Sequence, residues 1–288
     1  MGISTQQAFD CFRSDDLIGI GMEADAIRRQ MHPEGVVSYR CLQEVDVAST
    51  LLPLSGAFAG SSAALRLNCS TADSLNRVGD LCVELRRHRP GDWIEVGLQS
   101  RTVDPDTAKR LPDWRSRGVN SVFVDPREEN ADYAAVTEAA LSIHRAAHAT
   151  GMRTALGVPF GCGESLQDRL NYLGAARRVQ EESGGFAAFV MLGMDAPGGR
   201  ELDGATAVER LKMLSVTRMF LDNIDHAQSG QAGAGLKVLQ TGLRFGANDA
   251  ELRLAQTGVT EQDLRRVIRD AGFRPVERDG SYSTLFLN

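Results

Sequence analysis

The feature that most limits what this chain can fold into is an alternation of short strand-like runs with longer helix-like ones, beginning at Ala64. The runs ALRLN (64–68), DWIEVGL (92–98), SVFVD (121–125), TALGVPF (154–160) and FAAFVML (186–192) are rich in strand-forming residues. Helix-like stretches around 74–87, 105–117, 133–149, 166–182 and 205–221 follow them in turn. Strands joined by helices of that length run parallel, because the chain must cross back before each new strand begins. Polar residues interrupt the strands, whereas the strands of a doubly wound sheet tend toward unbroken apolar runs. The pattern therefore predicts an α/β fold of the TIM-type (βα) barrel kind, partial or complete.

The flanks read differently. Asp15 and Asp16 precede LIGIGMEADAIRRQM (17–31), with acids early and arginines late, which predicts a first helix ended before His32-Pro33. VVSYR (36–40) is a first strand, and the stretch after it to Ser62 has no clean periodicity. Residues 261–271 form a capped amphipathic pattern, and FRPVERDGSYSTLFLN (273–288) carries an Asp279-Gly280 turn signal between two strand-like runs. A terminal helix plus hairpin follows. The expected organisation is a single domain, with an N-terminal helical extension over 1–32, the barrel over 33–225 and a C-terminal extension over 226–288 packed on the barrel.

Composition narrows the function. A chain of 288 residues with 42% hydrophobic residues can bury a full core, and a net charge of -6 without a basic run disfavours nucleic acid or an anionic membrane as partner. No apolar run approaches a membrane span of about 18 residues, and the first residues lack the apolar stretch of a signal peptide. A cytoplasmic protein with a small-molecule partner is expected. The five cysteines, Cys11, Cys41, Cys69, Cys82 and Cys162, include no C-x-x-C pair and read as reduced thiols. No G-x-G-x-x-G or P-loop spacing occurs; the pairs Gly184-Gly185 and Gly198-Gly199 are weak phosphate signals.

In a barrel, alternate strand residues face the lumen, and the aliphatic set should face the helices. With Leu65, Leu67, Ile94, Val96, Leu98, Val122 and Val124 outward, the lumen receives Arg66, Asn68, Glu95, Gly97, Gln99, Ser121, Phe123 and Asp125. Ser38 and Arg40 join them if Val37 and Tyr39 face out. So polar an interior predicts a ligand cavity, set against an Arg–Glu network that only orders the barrel. Glu95, Asp125 and Glu164 are the acid–base candidates, because a carboxylate in a partly dry cavity has a raised pKa. Cys162 is a candidate nucleophile. Arg40 and Arg66 suit a carboxylate or phosphate; Asn68, Gln99, Asn223 and Gln228 are candidate amide contacts. Cys41, Cys69 and Cys162 fall near strand ends and could meet at one mouth, but they lack ligand spacing. His144 and His148 form H-x-x-x-H on a helix expected at the barrel exterior, where a plain surface helix is the simpler reading. No metal site is assigned.

Several stretches together resemble the radical S-adenosylmethionine (SAM) enzymes of the futalosine route to menaquinone, dehypoxanthine futalosine cyclase and aminofutalosine synthase among them. They are ADAIRRQMHPEGVVSY (24–39), GMRTALGVPFG with Glu164-Ser165 (151–165), ESGGFAAF (182–189), ATAVERLKMLSVTRMFLDNI (205–224), LRFGAND (243–249) and LRRVIRDAGFRPVERD (264–279). The resemblance implies a (βα) barrel with its site at the strand C-termini and a C-x-x-x-C-x-x-C loop after the first strand, holding a [4Fe–4S] cluster. Here the gapless register puts Leu51, Ser55 and Phe58 at the cysteine positions, and none can ligate iron. Only residues 59–63 separate that loop from the second strand. Cys162 stands where the family's G-H-x-E-[TS] segment has its His, and Leu192 to Gly199 replace a proline- and aromatic-rich segment.

The expectation is a relative without cluster or cofactor, acting by non-radical acid–base chemistry as isomerase, cyclase or lyase. Its substrate would be a small polar metabolite, nucleoside-like or carboxylated, in a specialised biosynthetic pathway. The alternatives left open are a non-catalytic relative that binds ligand or supports a partner enzyme, and SAM bound as a non-radical reagent. A homodimer is a further open expectation.

Overall fold

The computed structural model describes residues 2–50, 64–104, 106–128, 132–193, 206–231, 235–254 and 258–284. The N-terminal segment forms two helices, α1 (Thr5–Arg13) and α2 (Leu17–Met31), the second capped by the Asp16 carboxylate, which accepts from Gly19 N at 2.8 Å. Strand β1 (Val36–Asp46) follows, and then β2 (Ala64–Cys69), α3 (Ala72–His88), β3 (Trp93–Gln99), α4 (Thr107–Ser116), β4 (Ser121–Asp125) and α5 (Tyr133–Ala149). The alternation continues through β5 (Thr154–Phe160), α6 (Leu166–Ser183), β6 (Phe186–Gly193), α7 (Ala207–Phe220), β7 (His226–Gln231), α8 (Leu236–Gly242) and β8 (Asp249–Arg253). Helix α9 (Glu261–Asp270) and strand β9 (Arg274–Glu277) complete it. Ser or Thr N-caps answered by a polar residue three positions on start α3, α6, α7 and α9, so each helix begins where its sequence satisfies the orphan amides.

Strands β1 to β8 form a closed parallel barrel surrounded by helices. Closure runs through β1, which serves three neighbours along its length. Its residues Ser38 to Leu42 pair with β8, Val36 to Tyr39 pair with β9 and Gln43 to Asp46 pair with β2. The inside–outside alternation read from the sequence is the one observed. Leu65, Leu67, Ile94, Val96, Leu98, Val122 and Val124 pack outward on α3, α4 and α5, while Val37 and Tyr39 join the outer cluster of the other half.

Three expectations are corrected. The barrel does not end at 225: β7 and β8 lie beyond it, because both are short and β7, HAQSGQ, carries few strand-forming residues. The C-terminal hairpin is reduced to one antiparallel bridge, Arg278 to Thr284, around the Asp279 turn, and β9 instead adds parallel to β1. Helix α9 brings the chain back to the strand N-termini before β9 starts, which is the geometry of a parallel crossover. Helix α1 lies inside a segment that gave no helix signal. No helix among the described residues is long and apolar enough to cross a membrane.

Candidate active site

The lumen is built in layers. At its floor, near the strand N-termini, Asp249 of β8 accepts two hydrogen bonds from Arg278, one at 2.7 Å, and both side chains are fully buried. Ser38 Oγ and Gln228 Nε2 donate to the same carboxylate at 2.6 and 3.2 Å. Tyr282 closes the floor in a left-handed backbone conformation (φ 68°), its ring stacked on His226 at 4.9 Å with Arg278 3.7 Å from its centroid. Burial pushes the His226 imidazole down to about 4.

Above the floor lies a charge network. Arg40 binds Glu251 at 2.6 Å and Glu95 at 3.2 Å, and Arg66 binds Glu95 at 2.6 Å. All four side chains are buried. Higher still, Glu44 approaches Arg253 at 3.3 Å and Arg66 at 3.6 Å. The Arg66 guanidinium also covers the Phe123 ring at 4.3 Å. Across the lumen the wall is apolar, made by Phe123, Ala155, Ala188, Val190 and Leu192.

The network opens upward into a cavity of ≈ 180 Å³ at the strand C-termini, lined by Glu44, Arg66, Asn68, Gln99, Asp125 and Arg253 among others. Gly97 makes room for it: a Cβ there would strike Asn68 Oδ1 and press on the Arg66 stem. Asp125 holds Arg127 through a two-pronged pair, 2.7 Å at its shorter contact, and Arg127 reaches on to the Gly193 carbonyl at 2.9 Å. Three buried atoms of the lining, Arg66 Nη1, Gln99 Oε1 and Arg253 Nε, have no hydrogen-bond partner among the described residues.

The structure therefore brings Arg40, Arg66, Asn68, Glu95, Gln99 and Asp125 together around one lumen, but it corrects several roles. Burial raises the Glu95 carboxyl, yet Arg66 and Arg40 outweigh burial and hold it below its ordinary value. A raised pKa was expected; two arginines on one carboxylate reverse the sign. Glu251 is held far below the carboxylate range in the same way, by Arg40, Arg66 and Arg253 against burial. Arg40 does not line the cavity, and its Nε and Nη2 are engaged by Glu251 and Glu95.

Glu164 is a loop staple. Its fully buried carboxylate accepts from Gly161 N at 2.9 Å, Cys162 N at 2.7 Å, Arg169 Nε at 2.7 Å and Tyr133 Oη at 3.3 Å. The left-handed Gly161 and Gly163 let the chain fold back over it. Cys162 is buried on that loop, and desolvation raises its thiol, so the thiolate a nucleophile needs is disfavoured. Asn223 sits on the connection from α7 to β7, at the face opposite the mouth, because α7 has carried the chain back down. It contacts Arg177 O, not the lumen. Gln228 faces the lumen but is engaged at the floor by Asp249.

His144 and His148 are not on an exposed face. Both bond the Thr154 hydroxyl at 2.9 Å, between α5 and the barrel, and burial pushes them down to about 3 and about 4. Cys41 lies mid-strand on the outer face, since β1 runs on to Asp46.

The charges of the lumen and its mouth that sequence reading missed are Glu44, Arg127, Asp249, Glu251, Arg253 and Arg278. A signal was present in DAELR, where Ala250 and Leu252 alternate with three charged residues as Leu65 and Leu67 do with Arg66 and Asn68.

Three thiolates for an iron–sulfur cluster are not offered by this donor set. No cysteine occurs between Cys41 and Cys69. Burial raises the thiols of Cys41 and Cys69 to about 12 and of Cys82 to about 11. Among the described residues no three His, Cys, Asp or Glu side chains form a group that could hold a metal ion. Leu51, Ser55, Phe58 and the expected shortening over 59–63 lie outside the described residues, as do Met194 to Gly199 of the altered segment after β6.

No protein-family model matches the chain. The aminodeoxyfutalosine synthase of Thermus thermophilus is 34% identical over 160 residues, 49% of this chain and 43% of that protein. The 5-amino-6-(D-ribitylamino)uracil–L-tyrosine 4-hydroxyphenyl transferase of Methanospirillum hungatei is 29% identical over 246 residues, 74% of this chain and 67% of that protein. Among solved structures, methylornithine synthase (PylB) superposes with a TM-score of 0.72 at 12% identity, covering 96% of this chain and 94% of its own, which shows a shared fold. The chain is a radical SAM-superfamily relative of the futalosine pathway enzymes. It spans about half the length of the aminodeoxyfutalosine and cyclic dehypoxanthine futalosine synthases that it matches. Those relatives are named as enzymes.

Proposed function

We propose that this radical SAM relative binds a small polar metabolite in the mouth of its barrel and converts it by non-radical proton transfer, as an isomerase, cyclase or lyase. The observation that carries the reading is the set of unmade hydrogen bonds on one cavity: among the described residues Arg66 Nη1, Gln99 Oε1 and Arg253 Nε, from three strands, are buried without hydrogen-bond partners, the two nitrogens having only a carboxylate at 3.6 and 3.8 Å. Buried polar atoms left unpaired cost free energy that a ligand recovers. The absence of any cysteine between Cys41 and Cys69 supports chemistry without the cluster.

In this reading Asp125 moves the proton, since it is an acid–base candidate that lines the cavity. Arg127 orients it. Asn68 and Gln99 supply amide contacts, and Glu95 positions Arg66 rather than exchanging protons. A second reading, a ligand-binding relative without turnover, is favoured by Glu95 and Glu164, both of which are fully engaged by protein donors.

Mass spectrometry of denatured protein identifies the retained metabolite. Incubating that metabolite with wild type and Asp125→Asn separates the readings: conversion by wild type alone supports the enzyme, and unchanged metabolite supports the binder. Iron above about half an equivalent after anaerobic reconstitution, with SAM cleavage, would overturn the non-radical reading. Thermal stabilisation by millimolar SAM without cleavage would point to SAM as a non-radical reagent.

A further inference from the structure

The charges of the lumen cancel when the buried network beneath the mouth is counted together with the mouth's own lining, Arg66, Arg127 and Arg253 with Glu44 and Asp125. Among the described residues, Arg40, Arg66, Arg127 and Arg253 face Glu44, Glu95, Asp125 and Glu251, and each arginine lies within 3.3 Å of at least one of these carboxylates. Guanidinium groups stay charged at any physiological pH. Glu95 and Glu251 are held ionised by the arginines that flank them. The sites that could have received an external anion thus already hold the protein's own carboxylates.

A phosphate or dicarboxylate entering the cavity would have to displace Glu44 from Arg253 and Arg66 and then lie beside Asp125. That leaves a carboxylate uncompensated in a confined space, which is costly. What the lining still offers among the described residues is two N–H donors that make no hydrogen bond, Arg66 Nη1 at 3.6 Å from Glu44 and Arg253 Nε at 3.8 Å from Glu251, and one amide oxygen, on Gln99. These ask for a partner that accepts and donates on one edge and adds no net charge.

We infer that the mouth selects ligands of zero net charge whose polar edge presents an acceptor and a donor together, as an amide or a zwitterion does, and rejects phosphate and dicarboxylates. The inference rests on the mouth being the ligand site and narrows what that site takes.

Four small probes test it by thermal shift and calorimetry: succinamide (neutral), β-alanine (zwitterionic), succinate and inorganic phosphate. Fragments of this size bind at about millimolar affinity. Wild type should bind succinamide or β-alanine and be indifferent to succinate and phosphate; which of the first two wins separates the amide from the zwitterion. Glu44→Gln leaves the lumen one positive charge in excess and should bind phosphate about tenfold or more tightly than wild type does. Asp125→Asn makes the same change from another strand, should one variant not fold.

Wild type binding phosphate or succinate better than both neutral probes, with that affinity lost in Arg253→Gln, would overturn the charge rule while leaving the mouth as the ligand site. If none of the four probes binds wild type or either charge variant, the mouth is not the site and the inference falls with it.

Discussion

Removing the charge of Glu95 is the sharpest way to ask whether the lumen network is a structural device. Glu95 is buried and bridges Arg66 at 2.6 Å and Arg40 at 3.2 Å. In Glu95→Gln, Arg40 keeps Glu251 at 2.6 Å, but Arg66 is left with Glu44 at 3.6 Å and Glu251 at 3.7 Å. Breaking one side of a buried pair costs about 3–5 kcal/mol, and the amide oxygen retained by Gln places this case near 3. At roughly 2–4 °C per kcal/mol, Tm should fall by about 6–12 °C. A surface control, Arg117→Gln, removes exposed pairs with Asp113 and Asp80 and should leave Tm close to that of wild type.

The pH dependence supplies an independent check. The folded Glu95 carboxyl lies below its ordinary value, so its stabilisation is fully present above the unfolded pKa of about 4.3 and is lost as pH falls through the folded value. Wild type and variant should converge in acid. Scanning fluorimetry from neutral pH downward measures both effects. A Tm within about 1 °C of wild type at pH 7, or a gap that stays constant into acid, would refute the reasoning.

Three other outcomes follow from the same structure. His144 and His148 are held neutral with lowered pKa values, so the folded state resists protonation and stability should decline as pH drops below about 6.5; unfolding of His144→Leu should show a flatter decline. With burial raising Cys69, Cys82 and Cys162, a thiol reagent at pH 7.5 should modify none of these three in the folded protein, and rapid labelling of Cys162 would restore it as a nucleophile. Arg278→Met strands the buried Asp249 carboxylate and should destabilise by about 3–5 kcal/mol in urea, whereas a loss under 1 would show that the floor tolerates the charge.

Much of the fold was legible because the outer and inner faces of the strands differ so strongly in polarity. Leu65, Leu67, Ile94, Val96 and Leu98 fix which way Arg66 and Glu95 point, and a one-residue slip would have buried those charges among helices. Helix α2 was legible to its last residue, since Asp16 and His32-Pro33 bracket it. Strand β7 was not, because HAQSGQ owes its conformation to the ladders on either side and not to propensity. The candidate site was half legible. Sequence placed Glu95 and Arg66 in one lumen and left a ligand cavity and an ordering Arg–Glu network as alternatives; it could not pair the two residues, since that depends on the register that sets Arg66 opposite Glu95. Glu164 misled for a similar reason: a carboxylate three residues past a left-handed glycine is as well placed to staple its own loop as to meet a substrate.

The three-way pairing of β1 has a consequence for synthesis on the ribosome. Arg40 emerges early, but its partner Glu251 follows 211 positions later, and β9, which extends the same strand, later still. Until β8 is made, the growing sheet keeps an open edge at β7 and a row of guanidinium groups short of counter-ions. The barrel cannot shut progressively; it shuts once, near the end of translation. A chain halted before residue 249 should thus remain a substrate for chaperones and proteases, however complete its first seven strands are.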